Sequence, residues 1–271
     1  LSTTMIIDHT SLRAVARQIR HHIPDALLIA GGVYLWKSYY MYRKQQDSRA
    51  KAENTHRTLF QSNSLDTGID IFVIAPHGRA ALFQVLQEAE RGSRADFTHI
   101  PNLALPSDAE TFSFTPVQEE EVDYNTDYTR WDLLDDLPKR IPFRTSIGCP
   151  FRCRFCDFCH LYPRLFLRSK DSLLEELQLL KRRMGKEAFT LYLTDDNAFI
   201  RSQRVHDVCQ TIMAAGIQGW SGFLRASSVT SSNVDLLRQS GLVVAIIGVE
   251  SGDSGQLERM NKVQRLEDVK H

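Results

Sequence analysis

Apolar positions recur along the chain in short blocks whose period alternates between that of a helix and that of a strand. Leu12, Val15, Ala16 and Ile19 return at helical spacing and predict a helix over 10–22, capped by Thr10 or Ser11 and ended by Pro24. A continuous apolar strand at 26–30 then runs into Gly31-Gly32. The next run, 33–42, is rich in aromatics (Tyr34, Trp36, Tyr39, Tyr40, Tyr42), and the polar stretch 43–66 fits a helix and loop. A second apolar strand at 70–75 closes with Pro76-His77-Gly78. A helix follows at 80–90, with Leu82, Phe83, Leu86 and Ala89 on one face. Helix, strand, glycine turn, helix, strand, turn and helix describe part of an open parallel α/β sheet. Ligands on such sheets bind beyond the carboxyl ends of the strands, where both glycine turns fall. Neither turn is a GxGxxG or GK[ST] element, so Gly31-Gly32 reads equally well as a tight turn.

The pattern weakens over 106–140, which is acidic and poorly periodic and is expected to be a linker, with a small hairpin and a short amphipathic turn at Trp131. Alternation resumes from Ile141. Strands are predicted at 141–147, 189–194, 220–224 and 243–249. Helices are predicted at 171–184, 202–215 and 231–240, the last capped by Ser231 or Ser232 and stopped by Gly241. Four strand–helix steps of roughly 30 residues argue for a parallel barrel or a doubly wound sheet. The expected domains are 1–105, the linker 106–140, and 141–271.

Composition adds limits. Among 271 residues 42% are apolar and 24% charged, ordinary for a globular protein. Lys plus Arg equals Asp plus Glu at 33 each, so no global charge argues for nucleic acid or an anionic membrane. No apolar run is long enough for a membrane-spanning helix, and no signal peptide opens the chain. Four of the five cysteines fall between 149 and 159, which suits a metal centre in a reducing compartment, by default the cytoplasm. Cys209 sits on an apolar helix face and reads as core. His9 and His77 read as structural or exposed. The chain begins without Met and stops inside a strand-to-helix connection, so it is expected to be truncated at both ends.

The densest chemistry is Thr145-Ser-Ile-Gly-Cys149-Pro-Phe-Arg-Cys153-Arg-Phe-Cys156. Three thiolates at spacings of four and three can hold three irons of a cubane and leave the fourth open, whereas ferredoxin runs supply a fourth Cys. A structural zinc site is the alternative, with Cys159 and His160 near enough to complete it. Polar residues also stand where strands end: Asp195-Asp196-Asn197, Arg225 and Glu250-Ser251-Gly252. That is the catalytic rim of a βα barrel, although an Asp pair there also suits helix capping. A carboxylate at that rim can receive an ammonium, and Arg225 can pair with a carboxylate.

The CxxxCxxC pattern at Cys149, Cys153 and Cys156, with Phe155 before the last Cys, resembles the cluster motif of the radical S-adenosylmethionine (SAM) superfamily. The resemblance implies that the three Cys hold a [4Fe-4S] cluster and that SAM chelates its open iron. It extends through Thr194-Asp-Asp-Asn-Ala198, Arg225 and Gly248-Val-Glu-Ser-Gly252, then Leu257 and Met260-Asn-Lys262, which look like strand-end signatures of the cobalamin-associated branch. By that match Phe155, Asp195, Asp196, Arg225 and Glu250 are cofactor contacts, with one of the two Asp facing the SAM amino group. The implied fold is a partial Rossmann-like, cobalamin-binding-like half-domain followed by an incomplete (β/α)6 partial TIM barrel, with four strands of the usual six present. Gly31, Gly32 and Gly78 match by position the glycines that approach a cobalamin nucleotide tail. The turn Ala75-Pro-His-Gly78 departs from the usual Gly-Glu-Gly, and Asp8-His9 lacks the spacing of a cobalt-ligand motif.

The implied activity is reductive cleavage of SAM to a 5′-deoxyadenosyl radical that abstracts hydrogen from a small-molecule substrate, with cobalamin-assisted methyl transfer or an oxidative or cyclising reaction as outcomes. Flavodoxin or ferredoxin would be the electron donor. Arg152 and Arg154 are expected to tune the cluster or to be solvated, and Cys159 is a surplus thiol. A metal-stabilised binding module and an inactive truncated product are the competing readings.

Overall fold

The computed structural model describes residues 1–3, 8–47, 59–61, 67–107, 111–156, 158–162 and 164–270. The chain divides into two compact units, Leu1–Glu121 and Val122–His271.

In the first unit α1 (His9–His22) begins at Asp8, whose carboxylate accepts the Ser11 amide at 2.8 Å, so the cap lies two residues before the expected Thr10. The strand β1 (Ile29–Gly31) leads through Gly32 into α2 (Val33–Asp47) and on to β2 (Ile71–Val73), which pairs parallel with β1. Of the polar stretch expected after Tyr42, residues 48–58 and 62–66 lie outside the described residues. The helix α3 (Arg79–Ala89) buries Ala81, Val85 and Glu88 and leaves Leu82, Phe83 and Leu86 exposed.

Two further strands, β3 (Leu103–Pro106) and β4 (Phe112–Phe114), join antiparallel, giving the order β1-β2-β3-β4. The sheet is therefore mixed, not parallel as expected, because a connection as short as 107–111 can only reverse the chain. The first part of the expected linker thus belongs to this unit. Aromatics explain why: Phe112 meets Phe72 edge-on at 5.3 Å, and Phe114 stacks on Tyr42 at 4.8 Å.

In the second unit β5 (Arg140–Phe143) is followed by β6 (Ser146–Ile147), α4 (Phe158–Leu161), β7 (Phe166–Leu167) and α5 (Lys170–Met184). Then come β8 (Thr190–Leu193), α6 (Ser202–Ala214), β9 (Trp220–Leu224), α7 (Val234–Gln239) and β10 (Leu242–Ile247), with the short α8 (Ser254–Arg259) and α9 (Glu267–Lys270) at the end. The strands β5, β8, β9 and β10 are parallel, and each lies beside its predecessor. That sequential order is shared by a βα barrel and by one half of a doubly wound sheet. One face buries Ile141, Phe143, Leu191, Leu193, Trp220 and Leu224 against α5, α6 and α7, including Cys209 as expected. Among the described residues no helix is long and apolar enough to cross a membrane.

The strand expected over 141–147 breaks at Arg144-Thr145. Its second half, β6, leaves the parallel sheet and pairs antiparallel with β7, so a two-stranded ribbon closes the base of the cysteine loop. A buried ion pair holds the break, with Arg168 Nη1 2.6 Å from Glu176 and also donating to the Arg144 carbonyl at 2.9 Å. Both side chains are more than nine-tenths enclosed, and the other Glu176 oxygen accepts the Thr129 amide. Removing one partner strands a buried charge. Glu176→Ala should therefore cost about 3 to 5 kcal/mol in urea denaturation at pH 7; a loss below about 1 kcal/mol would show that the pair is not needed.

Candidate functional site

The cysteine loop hangs from one carboxylate. Asp195, just past β8, is buried and accepts four hydrogen bonds from the two residues that open β6. Its Oδ1 takes the Thr145 amide at 2.8 Å, the Ser146 hydroxyl at 2.9 Å and the Ser146 amide, and its Oδ2 takes the Thr145 hydroxyl at 3.2 Å. Arg204 of α6 closes the other side, donating to the Thr145 carbonyl at 2.7 Å and the Arg168 carbonyl at 2.8 Å. Burial pushes the Asp195 carboxyl up to about 6, against four hydrogen bonds that favour the anion. Asp195 is thus a clamp on the elbow at Thr145 and Ser146. Its half-buried neighbour Asp196 accepts the Gly148 amide at 3.0 Å through Oδ2, and among the described residues no hydrogen bond to its Oδ1 is seen.

Gly148 sits at φ 84°, and a Cβ there would lie 2.0 Å from the Arg164 carbonyl oxygen. Only glycine lets the loop cross itself at this point. The next residue, Cys149, has its sulfur 3.5 Å from the Asn197 amide nitrogen, a contact that gives the third residue of the Asp-Asp-Asn run a role of its own. Cys153 and Cys156 are joined by a turn with the Cys156 amide on the Cys153 carbonyl at 3.1 Å. Cys159 is buried with its sulfur on the Cys156 carbonyl at 3.1 Å, and burial raises its thiol pKa. The His160 side chain lies outside the described residues.

A second brace comes from the segment after α8. The Met260 carbonyl accepts the Arg154 amide at 2.8 Å, and Asn261 donates to the Arg152 carbonyl at 2.7 Å, so both arginines serve through backbone while their side chains are exposed. Lys262 pairs with Glu250 at 3.1 Å and lies 5.8 Å from the centre of the half-exposed Phe155 ring. Glu250 adopts φ 63°, a left-handed backbone that aims its carboxylate back over Gly248. Arg225, after β9, stacks on Phe151 at 4.0 Å and donates to the Val263 carbonyl, its other guanidinium N–H groups without a hydrogen bond among the described residues. Burial raises the Cys153 thiol pKa, opposed first by the charge of Lys262. The pattern of the sequence gives Met260-Asn-Lys262 no task of its own. Its function is visible only once the loop 109 residues away folds against Asn261.

Among the described residues no three Cys, His, Asp or Glu side chains converge closely enough for one metal ion. A cubane asks for less convergence than a single ion does, because it takes each thiolate on a separate iron and spreads its ligands around a larger body. The three thiols are half-buried on one glycine-hinged loop and close enough for their charges to influence one another.

In the first unit Gly31 and Gly78 flank Val73. A Cβ on Gly31 would lie 3.5 Å from the Val73 Cβ, and one on Gly78 would lie 2.6 Å from the Val73 Cγ1. Gly32 carries φ 120°. This small-residue ledge lies at the carboxyl ends of β1 and β2. The amides of Ala80 and Ala81 that open α3 are taken by the Glu120 carboxylate, at 3.0 and 3.3 Å.

Residues 143–271 match the family model of the radical SAM superfamily. Curated relatives include bacteriochlorophyllide d C-12(1)-methyltransferase of Chlorobaculum tepidum, 28% identical over 124 residues that cover 45% of this chain and 27% of that protein. Hopanoid C-3 methylase of Methylococcus capsulatus is 24% identical over 197 residues, covering 70% of this chain and 37% of that one. The chain thus spans about a quarter to somewhat over a third of these relatives. Among solved structures, the cobalamin-dependent S-adenosylmethionine radical enzyme OxsB with aqua-cobalamin and S-adenosylmethionine bound superposes with TM-score 0.66 at 16% identity, over 99% of this chain and 37% of that one. The radical S-adenosylmethionine methyltransferase TsrM from Kitasatospora setae, with tryptophan substrate and a SAM analogue bound, gives 0.64 at 15% identity over 99% of this chain and 52% of that one. Both show a shared fold.

The clamp has a pH signature. Burial lifts the folded Asp195 carboxyl to about 6, against 3.8 for a free aspartate, so the unfolded chain ionises first as pH rises. The group's contribution to stability is full below about pH 4 and falls by about 3 kcal/mol as pH climbs through about 6. Asp195→Asn keeps Oδ1 for both amides and should remove that slope, staying within about 2 kcal/mol of wild type at pH 7. Asp195→Ala strips the acceptor from four donors and should cost about 3 kcal/mol or more. Urea stability at pH 4, 5 and 6.5 checks this; an unchanged slope in Asp195→Asn would contradict the assignment.

Proposed function

We propose that this chain, a member of the radical SAM superfamily through residues 143–271 with the fold of its cobalamin-binding branch, is the SAM-cleaving part of a radical SAM methyltransferase. The observation that carries the reading is the Cys149–Cys153–Cys156 loop, hinged at Gly148 and pinned by Asp195 beneath the strand ends. Cys149, Cys153 and Cys156 would hold a [4Fe-4S] cluster, which when bound supplies one electron for reductive cleavage of SAM to a 5′-deoxyadenosyl radical.

The chain's own residues orient and shield that chemistry. The uncommitted Asp196 oxygen receives the SAM ammonium, and the spare N–H groups of Arg225 receive its carboxylate. Glu250, released from Lys262, accepts from the ribose hydroxyls. Phe151 and Phe155 shelter the loop from water, with Phe155 also the surface nearest an incoming donor. That donor is a small one-electron protein of flavodoxin or ferredoxin type, in a reducing compartment such as the cytoplasm. Cobalamin would approach over Gly31, Gly32 and Gly78, at the carboxyl ends of β1 and β2 where such sheets bind ligands, and not at the α3 amides that Glu120 occupies. The exposed apolar edge at β10, where Val243 is 71% accessible, is where further strands of a longer chain would add.

Anaerobic reconstitution should load about four irons per chain into wild type and Cys159→Ala, and below one into Cys149→Ala, Cys153→Ala or Cys156→Ala. Dithionite and SAM should then yield 5′-deoxyadenosine from the loaded protein alone. Equal iron in all variants, or zinc in place of iron, would refute the assignment.

A further inference from the structure

The face of the parallel sheet turned away from α5, α6 and α7 is lined unlike a packed core. Register places Pro142, Tyr192 and Ser221 in one row across β5, β8 and β9, with Phe223 and Ile246 in the next row toward the strand ends. Phe223 is 46% exposed, and its ring centre lies 6.5 Å from that of Tyr192. At the far end of this apolar strip stands one charge. Arg140 lays its guanidinium over the Tyr192 ring at 4.4 Å and donates to the Ser221 hydroxyl at 3.0 Å. Among the described residues no carboxylate pairs with it, although stacking and the Ser221 bond hold it in one place. A cation fixed by an aromatic face and a hydroxyl, at the foot of an apolar strip, is complementary to an oxyanion on an apolar molecule.

We propose that this face is the substrate bed and that Arg140 is its anion anchor. The substrate is an elongated apolar molecule, ringed or long-chained, that ends in a carboxylate or phosphate. Its oxyanion forms a forked pair with Arg140, its body lies on Tyr192 and Phe223, and its other end reaches the strand ends beneath the cysteine loop. Arg144, at the strand end, is four steps along the chain from Arg140, so the anion and the reacting carbon lie about 13 Å apart. The proposal rests on the radical SAM reading only for which end reacts. Binding itself needs neither cluster nor SAM.

The test is therefore run on cluster-free protein, by calorimetric titration with laurate, dodecyl phosphate and dodecanol, so that its failure leaves the iron result untouched. Laurate or dodecyl phosphate should bind at least about tenfold more tightly than dodecanol. Arg140→Gln should erase that preference while leaving dodecanol affinity unchanged, which also shows that the variant is folded. Arg140→Lys should retain part of the preference, and Phe223→Ala should weaken all three probes. Equal binding of laurate, dodecyl phosphate and dodecanol to wild type, or an anion preference that survives Arg140→Gln, would overturn the anchor. Loss of the anion preference in Phe223→Ala with dodecanol unaffected would overturn the apolar bed.

Discussion

Everything in the second unit that could do chemistry depends on the Asp195 carboxylate holding the chain at Thr145 and Ser146. A parallel strand entering a metal loop has to stop being a strand, and its freed amides need acceptors in a buried place. Asp195 supplies them from the end of the neighbouring strand, so the geometry of β8 is transmitted directly to the start of the loop. Arg204 and Arg168 satisfy the carbonyls on the same elbow. Donors and acceptors around Thr145 are thereby matched, and Gly148 can make its crossing beneath Arg164 from a fixed point.

The loop is then held from two sides by different means. On one side side-chain amide and carboxylate groups of Asp196 and Asn197 reach Gly148 and Cys149. On the other, the segment after α8 uses its backbone and Asn261 to pin the Arg152 and Arg154 backbone, while Lys262 and Arg225 bring cations over Phe155 and Phe151. The charges of Lys262 and Arg225 oppose the burial that raises the Cys153 thiol pKa.

Most of the second unit was legible in the sequence because its apolar periods are unambiguous: each predicted strand and helix appears within a few residues of its place. What periodicity could not reveal was the break inside 141–147. Thr145 and Ser146 alternate acceptably for a strand, and only a carboxylate 50 residues away turns them into an elbow. The same limit applies to Asp195 and Asp196, adjacent and chemically identical in sequence yet sent to different tasks by burial. In the first unit the aromatic run was visible, but not its partner. Phe112 and Phe114 lie in a stretch too polar to read as sheet, and they join it because aromatic packing outweighs weak local propensity. The Leu82, Phe83 and Leu86 stripe of α3 shows the converse: it stays exposed, while the face bearing Ala81 and Val85 packs into the core with Ile71 and Val73.

The central claim is that the cysteine loop holds an iron–sulfur cluster with one iron open to SAM. The most direct measurement is the electron paramagnetic resonance spectrum of the reduced, reconstituted protein with and without SAM. A spectrum whose g values move on adding SAM, and do not move on adding adenosine, which lacks SAM's amino and carboxylate groups, is the predicted result. A cluster signal indifferent to SAM would contradict the account and return the three thiols to a purely structural role.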